Sequence, residues 1–167
     1  MNRHVPVGLL AGCLLATAGW AQAAELTTRV SGVVEVVLVK SGQQVKKGTA
    51  LLRLETTVLR AQLEEALAGV RLATVEEQDS RRELARAQEL FDRTVSSTSE
   101  LELAVTRHAR AAAQLVLALA RETIAHKNLD DAELKAPFDG RVVSVPGLPG
   151  TVVTAECQPR ALVIFKP

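Results

Sequence analysis

Three side chains able to bind a metal or pass a proton, His108, Glu122 and His126, recur at helical spacing along one segment. Imidazole and carboxylate are ordinary zinc ligands, but a zinc site usually brings Cys or closely spaced His in a defined geometry. Polar residues on a helix–helix seam more often fix register. That is the role expected of these three, and of Glu77 and Ser80 on a preceding segment. No metal or cofactor is expected. Cys157 is read as a buried small residue or an ordinary loop thiol rather than a reactive group. Ser, His and Asp all occur, yet there is no Gly-x-Ser-x-Gly elbow, zinc motif or phosphate loop. Acids and bases fall mostly on solvated helical faces, not in a predicted pocket. An enzyme is not expected.

The elements that carry these residues follow from composition and periodicity. Lys and Arg total 20 against 19 Asp and Glu, a balance that argues against nucleic-acid binding. Aromatic residues are 2% of the 167, too few for base stacking or for an aromatic-rich globular core. Abundant Ala, Leu, Val, Glu and Arg point to long helices. Residues 1–23 read as an export signal: basic "MNRH", an apolar run, then "AQA" at Ala21–Ala23. "LAGC" at Leu10–Cys13 also matches a lipoprotein box, though lipidation at Cys13 is the lesser reading. Export with cleavage after Ala23 removes Cys13 and leaves Cys157 without an internal disulfide partner.

Residues 55–131 predict an antiparallel coiled-coil hairpin. Leu59, Leu63, Ala66, Val70, Ala73, Glu77, Ser80, Leu84, Ala87 and Phe91 alternate at spacings of four and three. The pattern stops at "RTVSSTSE", where Ser and Thr favour caps over helix interiors. The tip is expected at about 94–99, with Ser99 and Glu102 forming a capping box for the second helix. That helix's seam is predicted through Leu101, Val105, His108, Ala112, Leu115, Leu119, Glu122, His126 and Leu129.

The hairpin interrupts a β domain. "VSGVVEVVLVKSGQQVKKGTALLRLE" and "LKAPFDGRVVSVPGLPGTVV" plus "ALVIF" are imperfect repeats of one strand-turn-strand unit. Each half has apolar faces needing cover, and each suits the other. The expected class is α+β: a β-sandwich assembled from sequence-distant halves at 24–54 and 132–167. Pro159 would fit the start or edge of a strand but not a central one.

Two such halves around a coiled-coil hairpin resemble the periplasmic adaptor, or membrane-fusion, proteins of bacterial efflux and secretion systems (HlyD/RND type). "APFDG", Ala136–Gly140, is the most characteristic stretch. The resemblance implies a lipoyl-like sandwich from which the hairpin projects. It further implies a channel-docking tip: Arg86, Leu90 and Ser97 keep the family's spacing of Arg, three residues, Leu, six residues, Ser. Arg86 and Leu90 lie one helical turn apart on one face. The implied partners are an outer-membrane channel of TolC type, an inner-membrane transporter and further copies of the chain, in the periplasm. Family members usually continue into a β-barrel and a membrane-proximal domain, so the chain reads as a short form whose coupling to a pump is in question. A lipoyl or biotinyl carrier is disfavoured, because the turn that would bear the modified Lys is occupied by the hairpin. Lys135 reads as a strand-entry residue. The alternative to an adaptor is a periplasmic coiled-coil scaffold without a transport role.

Overall fold

The computed structural model describes residues 23–155 and 160–167. Residues 1–22 of the expected leader, with Cys13, and the positions of Cys157 and Pro159 lie outside the described residues. Strands β1 (Ala24–Leu26), β2 (Gly32–Val37), β3 (Gln44–Val45) and β4 (Ala50–Leu54) precede helices α1 (Thr57–Asp92) and α2 (Thr98–Asp131). Strands β5 (Glu133–Lys135), β6 (Gly140–Ser144), β7 (Val152–Val153) and β8 (Val163–Lys166) follow them.

The strands form two antiparallel four-stranded sheets, ordered β1-β8-β6-β3 and β5-β4-β2-β7. Advancing each label by four turns one sheet into the other, so the internal repeat comprises four strands per half. Each half lends its short third strand to the other half's sheet: Gly32 lies opposite Val153, and Gly140 opposite Val45. The turns keep the same symmetry. The Gly42 N–H donates to Val142 O (2.7 Å), and the Gly150 N–H donates to Val34 O (2.8 Å). Both glycines have φ near +85°, a left-handed conformation that glycine enters without a Cβ penalty. Val34, Leu51, Leu52, Leu54, Val142, Leu162, Val163 and Phe165 fill the space between the sheets, each under 2% exposed. Burying such side chains contributes roughly 1.5–3 kcal/mol apiece. Neither half could obtain that alone, since its four strands are divided two and two between the sheets and complete neither layer without the other half.

The "APFDG" stretch stitches the halves together. Ala136 exchanges backbone hydrogen bonds with Gly48 (2.8 Å) and Thr49 (3.0 Å). The Lys47 N–H donates to Asp139 Oδ1 at 2.7 Å, and Phe138 packs on Phe165 with ring centroids 5.0 Å apart. Lys135 is in β5, opposite Ala50, with its ammonium 3.1 Å from Glu133.

The hairpin's entry is set by Glu55, whose Oε1 accepts from the Thr57 N–H at 2.6 Å, while Thr56 caps nothing with its side chain. The Thr57 hydroxyl and N–H together hold the exposed Glu55 carboxyl below its ordinary value of 4.5. α1 buries the expected stripe through Ala73, Glu77 and Ser80. α2 does not. Its buried residues are Ala104 and Ala118, while Val105 and Leu119, placed on the seam by the sequence, are 49% and 44% exposed. Leu101, His108, Leu115, Glu122 and Leu129 are half-buried as expected, but the stripe beside them is Ala104, Ala111, Ala118 and Ala125. These alanines share one side of the seam with Ala66, Ala73, Ser80 and Ala87 of α1. Small residues on both helices let the backbones approach there, so larger Val and Leu side chains turn outward.

Candidate functional site

The hairpin tip combines three local features. α1 ends in a Schellman motif: the Val95 N–H donates to Leu90 O (2.9 Å) and the Thr94 N–H to Phe91 O (2.9 Å). The left-handed position of that motif is usually Gly, but here it is Thr94, with φ 61°. A β-branched residue there costs of order 1–2 kcal/mol. α2 then opens on Ser97, whose Oγ accepts from the Glu100 N–H (3.3 Å) while the Ser97 N–H donates to Glu100 Oε2 (3.0 Å). The capping box is therefore Ser97–Glu100, two residues before the expected Ser99–Glu102. Ser-x-x-Glu occurs in both places. The Schellman turn decides between them by making Ser97 extended (ψ 157°) and delivering it where the helix must begin.

Behind this turn, α1 and α2 enclose a shallow groove of about 330 Å³, with Ala87, Leu90, Leu103 and Ala104 as its apolar lining. Glu83, Arg86, Glu100 and Arg107 supply the charges around it. Arg107 Nη1 reaches across to Glu83 Oε2 at 3.6 Å. Of the three residues marked by spacing, the structure brings Arg86 and Leu90 onto this groove together. Ser97 is not on its wall; its neighbour Ser96 is. The Ser96 Oγ is enclosed and, among the described residues, has no hydrogen-bond partner. Sequence alone gave no signal for Ser96, because its distinction from Ser97 depends on the backbone turn between them.

The candidate metal ligands are not assembled. His108 faces Ser80 across the seam, Nδ1 to Oγ 3.4 Å, and Ser80 Oγ also donates to Glu77 O (2.8 Å). His126 lies on the outside of α2, 3.3 Å from Asp130 Oδ2. At about 1.5 Å rise per residue, His108 and His126 stand roughly 27 Å apart along the helix. Among the described residues, no group of three or more His, Cys, Asp or Glu is placed to hold a metal ion. Glu77 is also nearly buried, paired with Arg81 at 3.1 Å.

A family model for the CzcB-like barrel-sandwich hybrid domain matches residues 22–159. The chain belongs to this family. It is 28% identical over 163 residues to a multidrug resistance protein MdtA of Cronobacter turicensis. That match covers 92% of this chain and 39% of the relative, so the chain spans about two fifths of that relative's length. Among solved structures, ZneB of Cupriavidus metallidurans superposes with a TM-score of 0.63 at 19% identity, covering 89% of this chain and 62% of that one. A MacA-MexA chimera carrying the Pseudomonas aeruginosa MexA α-hairpin gives 0.63 at 23%, covering 87% and 46%. The shared fold is that of the membrane-fusion, or periplasmic adaptor, proteins. No helix among the described residues is long and apolar enough to cross a membrane.

Proposed function

We propose that this protein is the adaptor subunit of a tripartite efflux or secretion assembly, a spacer that performs no chemistry. Its hairpin tip docks on an outer-membrane channel of TolC type in the periplasm, after export directed by residues 1–23. The observation that carries this reading is the tip groove. Arg86 and Leu90 project side by side at the far end of a two-helix arm, roughly 50 Å from the sandwich at about 1.5 Å per residue. A groove of that kind fits another helical hairpin, with Leu90 as the apolar anchor and Arg86 as a multi-donor partner for a carboxylate or carbonyl. Ser97 contributes by holding the turn. One such contact is small, so several copies acting together are needed for useful affinity. The inner-membrane transporter would be met through the sandwich end.

A photo-crosslinking residue at Ser97, with a mid-hairpin control at Glu76, tests this in the native cell envelope. Adducts with an outer-membrane channel from Ser97 and not from Glu76 are expected. A folded, exported protein with no channel adduct would refute docking and favour a coiled-coil scaffold.

A further inference from the structure

The end of the sandwich away from the hairpin is basic where its repeat-related counterpart is not. β4 runs into α1 and β5 leaves α2, while their other ends, Ala50 and Lys135, lie opposite each other. The turns at 46–49 and 136–139, joined by the Gly48–Ala136 hydrogen bond, therefore close the sandwich at the far end. Gln44, Arg141 and Lys166 form one row across β3, β6 and β8, and all three are exposed on the outer face of that sheet. Lys46 and Lys47, also exposed, flank the row. Among the described residues, none of Lys46, Lys47, Arg141 and Lys166 takes part in an ion pair. The acids nearby are Asp139, whose Oδ1 accepts from the Lys47 N–H, and Glu25, opposite Ile164 in the next outward-facing row.

The fold does not require this charge. Repeat equivalence, as of Val34 with Val142 and Val45 with Val153, sets Arg141 against Val33, Lys46 against Thr154 and Lys47 against Ala155. Lys166 corresponds to Glu55, because Phe165 faces Val142 as Leu54 faces Val34. The backbone is the same in both places: the Lys47 N–H donates to Asp139 Oδ1, and the Ala155 N–H donates to Ser31 Oγ at 3.0 Å. Arg141 and Lys166 are also direct cross-strand partners, and like charges so placed are destabilising. That repulsion is relieved when negative charge is brought against the row.

We propose that this face rests on a bilayer surface, with its Lys and Arg side chains on the phosphates of anionic phospholipid headgroups. The choice of a bilayer over an acidic protein comes from where the chain enters the sheet. β1 starts at Ala24, opposite Phe165 and hence beside Lys166. The segment before it is the apolar export signal of residues 1–23, which brings this end of the sandwich to the membrane. Cleavage after Ala23 then leaves a positively charged α-amino group at the same end. Each basic residue at an anionic surface contributes roughly fivefold in affinity, and salt screens the attraction. The inference rests on the export and adaptor reading for its location, and it points the hairpin away from the membrane.

Vesicle co-sedimentation of the exported protein tests it, in a Cys13→Ser background that cannot be lipidated. The probes are phosphatidylethanolamine vesicles prepared with and without phosphatidylglycerol. Binding is expected only with phosphatidylglycerol and should weaken as salt rises. Arg141→Ala/Lys166→Ala and, separately, Lys46→Ala/Lys47→Ala should each reduce affinity about 25-fold, fivefold for each residue. The first pair should melt no lower than the parent, since it removes a like-charge contact. Arg60→Ala/Arg71→Ala, which takes the same charge from exposed sites on α1, should leave binding unchanged. Equal binding to both vesicle types, an equal loss from the α1 pair, or no binding at all would overturn the proposal. Protein adducts from a photo-crosslinking residue at Gln44 in the native envelope would overturn it too, by showing the face covered by a protein. Crosslinking from Ser97 keeps the two readings separate. Channel adducts without vesicle binding refute the membrane contact alone; vesicle binding without channel adducts supports that contact and refutes docking.

Discussion

Gly32 and Gly140 begin equivalent strands of the two repeats, yet an added methyl group should affect them in opposite ways. At Gly140 a Cβ would sit 2.3 Å from Lys166 O and 3.0 Å from Phe165 Cζ. Ordinary contact begins near 3.4 Å, so β8 must retreat by about 1 Å from a core in which Phe165 is fully buried. Overpacking of this kind costs about 1–3 kcal/mol or more. The lower unfolded-state entropy of Ala returns only about 0.4–1 kcal/mol. At Gly32 the equivalent neighbour is Leu54, 3.4 Å from the new methyl at its nearest atom, and a Leu side chain can yield. Gly140→Ala is therefore expected to destabilise by about 2 kcal/mol, which is roughly 4–8 °C in melting temperature for a chain of this size. Gly32→Ala should stay within about 0.5 kcal/mol of the parent. Calorimetry on the exported protein is the suitable assay, since the chain has no Tyr and its single Trp, Trp20, lies in the expected leader. Equal shifts from the two substitutions, or none from Gly140→Ala, would refute the close approach of β6 to β8.

Ser97→Ala should cost about 1 kcal/mol through loss of the cap, with Ser99→Ala near neutral, both read from thermal melts. Thr94→Gly relieves the left-handed strain and should raise stability by about 1 kcal/mol in the same melts; a decrease would contradict the turn geometry. Leu90→Ala and Arg86→Ala, at exposed positions, should leave the melting temperature nearly unchanged while reducing Ser97 channel adducts several-fold. The lowered Glu55 carboxyl predicts a pH dependence with a fixed sign. Its contribution is present above the unfolded value and lost as pH falls through the lower folded value. Glu55→Gln should therefore flatten the stability curve in acid and not at neutral pH, measured by urea titration across that range.

The α-hairpin, its α1 stripe and the division of the β domain were legible in the sequence, because each rests on local periodicity and on where it breaks. Leu59 to Phe91 repeats without interruption, and "RTVSSTSE" cannot continue a helix comfortably. The repeat "SGVV"/"DGRVV" likewise announced two halves, each unable to bury its strands alone. Other choices belonged to the tertiary structure. Strands β1 and β5 are three residues long and exist only because β8 and β4 offer edges to pair with. The exchange of β3 and β7 between halves is a matter of which hydrogen-bonding edge lies nearest in space. On α2 two adjacent stripes, Val105–Leu119 and Ala104–Ala118, both satisfy the spacing of a seam. Hydrophobicity favours the first, but the facing small residues of α1 select the second, since a seam is chosen by the shape of the opposing surface. The spacing of Arg86, Leu90 and Ser97 was visible from the residues alone. Which of them share the tip groove, and which one caps the next helix, was settled by the turn at Thr94.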